Sequence, residues 1–78
     1  MWYVYILKCK DGKYYTGYSS NLKNRIKQHN EGRVKFTSKR LPVEIVCYHA
    51  FNDKYRAVFY EKYLKSGSGR AFMKRHLI

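Results

Sequence analysis

The first apolar run, "WYVYILKC" at residues 2–9, is β-branched and aromatic, and "KYYTGY" at 13–18 follows after the turn residues "KDG". Two short runs of this kind around Asp-Gly predict a β-hairpin. If Lys10, Asp11 and Gly12 form a three-residue loop, Gly12 takes the left-handed position. Cys9 then faces Lys13, Leu7 faces Tyr15 and Tyr5 faces Gly17, which puts Tyr3, Tyr5 and Tyr15 on one sheet face and leaves space beside Tyr5. A two-residue Asp11-Gly12 turn would move Tyr15 to the opposite face, because side chains alternate along a strand.

The next segment, "SSNLKNRIKQHNEG", changes to helical spacing, with Leu22, Ile26 and His29 as its inward stripe. Ser19 or Ser20 is the expected N-cap and Gly32 the expected stop. Arg25 and His29 stand four apart, so they neighbour each other on one helix face. Residues 33–41, "RVKFTSKRL", are read as a basic loop, and Pro42 opens a third strand at 43–51, "VEIVCYHAF". Asp53 is placed to cap a helix over 54–66, "GSG" breaks it, and "RAFMKRHLI" makes a short last helix. The order β-β-α-β-α-α predicts an α+β domain, a three-stranded antiparallel sheet flanked by helices.

Length restricts this to a single domain covering 1–78. A chain this short buries only about 60% of its unfolded surface, so each aromatic is needed for packing. Charge adds more. Seventeen Lys and Arg against five Asp and Glu give a net charge of +12, spread along the whole chain. An excess of that size points to an anionic partner, with nucleic acid ahead of a membrane surface. No run reaches the ~18 apolar residues of a membrane span. The N-terminal apolar stretch is interrupted by Lys8 and Lys10, which does not fit a signal peptide. The expectation is a cytoplasmic protein with free thiols at Cys9 and Cys47, which lack the spacing of a zinc site. Nothing in the pattern sets an oligomeric state.

Among the five acids, Asp11 sits in a turn, Asp53 at a cap, Glu31 near a helix end and Glu44 on a strand. Glu61 alone is mid-helix. At ~100° per residue, Ala57, Val58 and Leu64 lie within about 60° of it on the helical wheel. It is therefore either a solvated partner of Lys65 at i+4 or a carboxylate aimed into a cleft, where it could hold a hard cation. Arg25 can brace a phosphate with its planar fork, and His29 can exchange protons near neutral pH. The phenols of Tyr5 and Tyr15 have an ordinary pKa of ~10, so either would need a nearby cation to act as a base.

Tyr3-Val4-Tyr5 and, ten residues on, Tyr15-Thr16-Gly17 resemble the paired motif of the GIY-YIG nuclease superfamily. Tyr3 stands for its Gly, Val4 for its first Ile and Thr16 for its second, while Tyr5, Tyr15 and Gly17 match. "NLKNRIKQHN" is similar to the next family element, with Arg25 and His29 in place, and Glu61 falls in the helix that carries the family's metal-binding glutamate. The resemblance covers nearly the whole chain and is nearest to small, stand-alone bacterial GIY-YIG proteins. It implies a DNA endonuclease with one Mg²⁺ or Mn²⁺ ion on Glu61, catalytic Tyr5, Tyr15, Arg25, His29 and Glu61, and a place in DNA repair or recombination. Gly17, Lys13, Lys39 and Arg40 are the candidate substrate contacts, made to the DNA backbone with weak sequence preference. One departure is the asparagine found late in many family nucleases: the last asparagine here is Asn52, before Glu61. The alternative is a non-catalytic binding module that stacks bases on a basic, tyrosine-rich sheet face.

Overall fold

The hairpin adopts the register of the three-residue loop. In the computed structural model, which describes residues Met1–Ile78, strand β1 (Trp2–Cys9) pairs antiparallel with β2 (Tyr14–Ser19). The Gly12 N–H donates to the Cys9 carbonyl at 2.9 Å, the Cys9 N–H donates to the Lys13 carbonyl at 2.8 Å, and Gly12 sits at φ +86°. Left-handed backbone of this kind suits a residue without Cβ. Leu7 therefore faces Tyr15, and Tyr5 faces Gly17.

β3 (Val43–Phe51) pairs with the other side of β1, giving the order β2-β1-β3 in an antiparallel sheet. β1 becomes the central strand because it alone is apolar on both faces, and Val4 to Leu7 are buried without a break. Its alternate residues enter two separate cores. Val4 and Ile6 pack with Ala57, Leu64 and Met73, whereas Tyr5, Leu7 and Cys9 pack with Val43 and, at the margin, Leu22 and Ile26. The sheet is thus the middle layer. Helices α1 (Leu22–Asn30) and α2 (Lys35–Ser38) lie on one face, and α3 (Lys54–Lys65) and α4 (Gly67–His76) on the other. No helix is long and apolar enough to cross a membrane. Cys9 and Cys47 are free and belong to opposite cores, and burial pushes both thiols up from their ordinary pKa.

Helix punctuation departs from expectation at three points. Asn21, not Ser19 or Ser20, caps α1: its Oδ1 accepts the Asn24 N–H at 3.1 Å, while Ser19, still in β2, accepts the Asn21 N–H at 3.0 Å. The expected basic loop contains the single turn α2. "GSG" is not a spacer but the first turn of α4, capped by Ser66, whose Oγ accepts the Gly69 N–H at 3.1 Å. Gly69 has to be glycine because a Cβ there would run into the Tyr63 carbonyl, so α4 can follow α3 with only Ser66 between them. Gly32 and Asp53 act as expected. Gly32, at φ +78°, donates to the His29 carbonyl at 3.0 Å while Arg33 donates to Gln28 at 3.1 Å, which closes a Schellman end. Asp53 accepts the Tyr55 N–H at 2.9 Å.

Candidate functional site

The Tyr5 side chain leaves the central strand toward α1 and is 1% exposed. It fits because Gly17 stands opposite. A Cβ on Gly17 would lie 2.5 Å from the Tyr5 hydroxyl oxygen, 2.7 Å from Cζ and 3.0 Å from Tyr15 Cε2. The final glycine of the second motif therefore makes room for the phenol of the first.

The Tyr5 hydroxyl meets His29 Nε2 at 3.0 Å, in the interior. His29 is fully buried near the end of α1, and its Nδ1 is 2.8 Å from Thr37 Oγ1 on α2. Thr37 donates its own proton to the Val34 carbonyl at 3.4 Å, which can only accept. The Thr37 oxygen is then left to accept the Nδ1–H of His29. That puts the histidine proton on Nδ1 and leaves the Nε2 lone pair to take the Tyr5 O–H. Burial, reinforced by the Arg25 charge, pushes the His29 pKa from 6.5 down to about 4, so the imidazole is neutral at pH 7. Burial raises the Tyr5 pKa, Arg25 opposes that rise by hydrogen bonding and charge, and Tyr15 and Glu61 add smaller upward pushes.

Tyr15 completes an aromatic cluster. Its ring centroid is 4.9 Å from His29, 6.4 Å from Tyr5 and 5.7 Å from Phe36. Arg25, one turn before His29, donates from Nη1 to Gln28 Oε1 at 2.9 Å. Glu61 comes from the opposite helical layer. Its side chain is only 13% exposed and accepts Lys65 Nζ at 3.2 Å. Lys65 reaches past β2, an outer strand, and holds its ammonium 5.8 Å from the Tyr15 ring centre. The structure thus packs Tyr5, Tyr15 and His29 together, with Arg25 and Glu61 close enough for their charges to act on Tyr5.

Of the other sequence candidates, only Gly17 touches this cluster. Gly17 supplies space. Lys13 and Lys39 are exposed. Arg40 is already engaged: Nε pairs with Asp11 Oδ2 at 3.1 Å, Nη1 donates to the Phe36 carbonyl at 2.6 Å, and the guanidinium lies 4.3 Å from the Phe36 ring centre. It clamps α2 onto the hairpin turn. Thr37 and Phe36 are members of the site that sequence reasoning missed. Neither has a local signal, because both lie in the stretch read as a loop.

The model of the family described as the GIY-YIG catalytic domain matches residues 1–75. The chain belongs to the GIY-YIG family. It is 40% identical to a UPF0213 protein of Streptococcus agalactiae serotype V over 78 residues, 95% of this chain and 89% of that one. With a UPF0213 protein of Clostridium perfringens the identity is 50% over 64 residues, 81% of this chain and 69% of the relative. A UPF0213 protein from Bacillus halodurans, solved by solution NMR, is 42% identical with a TM-score of 0.60, covering 95% of this chain and 81% of that one. GIY-YIG is a nuclease-type family whose substrates are in general nucleic acids and whose nucleases generally use a divalent metal. Within this GIY-YIG domain, Tyr5 and Gly17, from the two halves of the motif, face each other across the hairpin.

Metal chemistry has one protein carboxylate to work with. No group of three His, Cys, Asp or Glu side chains comes together anywhere in the chain. That excludes a closed protein cage but suits Mg²⁺ or Mn²⁺, which can bind through one carboxylate completed by substrate phosphate and waters. Glu61, mostly buried and held by a single lysine, fits such a role.

Proposed function

We propose that the chain hydrolyses phosphodiester bonds in DNA with one divalent cation held by Glu61. The observation that carries this reading is the buried Tyr5–His29 pair, a phenol hydrogen-bonded at 3.0 Å to a neutral imidazole. With its proton directed to Nε2, the Tyr5 oxygen keeps a lone pair for an attacking water. Tyr5 takes the water's proton as it passes its own to His29. Free phenolate need not accumulate, which matters because burial disfavours it; the same burial makes His29 a weak base, so it holds the proton only while the phosphodiester bond breaks. Thr37 supports the step by fixing the histidine tautomer. Arg25 faces the charge that grows on the phosphoryl oxygens, and Tyr15 orients the phosphate. Mg²⁺ or Mn²⁺ on Glu61 would stabilise charge on the leaving oxygen. Lys65 would release the carboxylate for this and turn to a phosphate.

The test is incubation with supercoiled, single-stranded and branched DNA, with and without Mg²⁺ or Mn²⁺, using wild type and Tyr5→Phe. Metal-dependent nicking by wild type and a large loss in Tyr5→Phe are expected. Tight binding with no cleavage under any divalent metal would replace this reading with the non-catalytic binding module. The observation favouring that second reading is the lone carboxylate, already paired with Lys65.

A further inference from the structure

An open cavity of about 410 Å³ lies beside the phenol cluster. Leu64 and Met73 line it from the buried core, Tyr15 and Phe36 form aromatic walls, and Lys65 and Arg70 add positive charge. Three of these residues, Tyr15, Phe36 and Lys65, also belong to the candidate site. Tyr15 packs on His29, and Lys65 is bonded to Glu61. The cavity therefore adjoins the candidate site through shared residues.

Phe36 is 39% exposed, yet it is held firmly. Tyr15 flanks it, and Arg40, outside the cavity, stacks on it while tied to Asp11. An aromatic ring braced in this way but left facing an apolar cavity presents a ready stacking surface.

We infer that this cavity receives the base of a nucleotide adjoining the scissile phosphate, swung out of its stack. The inference rests on the phosphodiesterase reading of the neighbouring site. Three features fit a nucleobase. The walls suit a flat ring, the volume falls in the usual range for small-ligand pockets, and Lys65 and Arg70 match the phosphates on either side. A purely apolar ligand would have no use for the two cations. Tyr14, Tyr15 and Thr16 add hydroxyl-bearing side chains to the ring faces and aliphatic carbon of the lining, but stacking itself does not depend on which base enters. A paired base cannot enter without leaving the duplex. Cleavage therefore favours a position that is unpaired or easily opened.

The probe is a deoxynucleoside bisphosphate, with a phosphate on each side of the sugar, compared with the same sugar bisphosphate lacking the base. Protein NMR follows the Met73 methyl and the Phe36 ring. The base-bearing compound should shift both and bind roughly 5- to 100-fold tighter, the weight of one stacked base. Phe36→Ala, checked for folding by its amide spectrum, should erase that difference. Equal affinity for the two compounds, or no shift at Met73 and Phe36, overturns the inference. A cleavage arm moves one abasic nucleotide along a single-stranded oligonucleotide. Loss confined to a nucleotide next to the cut supports the base site, and a flat scan on DNA that is still cleaved overturns it while leaving hydrolysis standing. DNA that is never cut, combined with base-dependent shifts at Met73, removes the hydrolase reading but keeps the base site.

Discussion

Gly17 determines whether Tyr5 can reach His29. In Gly17→Ala the new methyl has to displace the Tyr5 hydroxyl, 2.5 Å away. Overpacking of this kind should cost about 1–3 kcal/mol in denaturant unfolding, and cleavage should fall because the phenol is pushed off Nε2. An alanine variant with wild-type stability and rate would show that the cleft has slack. Tyr5→Phe separates chemistry from packing. It keeps the ring and deletes one oxygen, leaving Nε2 unpaired at about 1–3 kcal/mol of stability. A general base is worth about 10²–10⁴ in rate, so the variant should stay folded and lose at least two orders of magnitude in cleavage. Glu61→Gln should also abolish cleavage, at about 1 kcal/mol or less of stability from the lost Lys65 pair. Metal-free DNA binding should persist or tighten, since a negative charge near phosphate has gone. If Glu61→Gln cuts as fast as wild type, the single-metal mechanism is wrong.

At the level of elements, His29 joins α1 to both the sheet and α2, through Tyr5 and Thr37. That position couples the packing of these elements to pH. Folded His29 stays neutral down to about 4, whereas the unfolded residue gains a proton below 6.5. Between those values the unfolded chain binds more protons, so stability rises with pH. The contribution is complete above pH 6.5 and is lost as pH falls toward 4, by about 3 kcal/mol in total at ~1.4 kcal/mol per pKa unit. Urea unfolding at several pH values from 7 to 4.5 should show this slope, and His29→Gln should be visibly flatter. Identical slopes in the two proteins would mean that His29 is not the linked group.

Over the whole molecule, 17 cations against five acids set the terms for DNA binding. Neutralising ~5 phosphates predicts a slope of about −4 to −5 in log affinity against log salt. Titration from low to high salt measures it. A flat response would remove nucleic acid as the partner. On the proposed reading, the three-layer arrangement would let one small domain surround a phosphate. α1 supplies Arg25 and His29 from one side, α3 supplies Glu61 and Lys65 from the other, and the outer strand β2 runs between them with Tyr15.

Local patterns settled what local physics controls. The Asp-Gly loop and the two-residue period of the strands placed Tyr5 opposite Gly17 and Tyr15 on the same face, because one step of register would reverse every side chain. Asp53 and Gly32 were legible for similar reasons: a cap and a left-handed stop each act within a few residues. Chain folding decided the rest. Tyr5 and His29 are 24 residues apart, and the tautomer that makes Nε2 an acceptor depends on Thr37, eight residues further on in a turn with no helical signature. The pairing of Arg40 with Asp11, 29 residues away, likewise has no trace in the local sequence. Glu61 was visible as an acid on an apolar arc, but its influence on Tyr5 depends on how α3 packs beside β2. Periodicity fixes the face a side chain points from. Which side chain it meets depends on how the layers close: Tyr5 meets His29 on the α1 side of the sheet, and the cavity lined by Tyr15, Phe36, Leu64 and Met73 opens where residues of both helical layers meet beside β2.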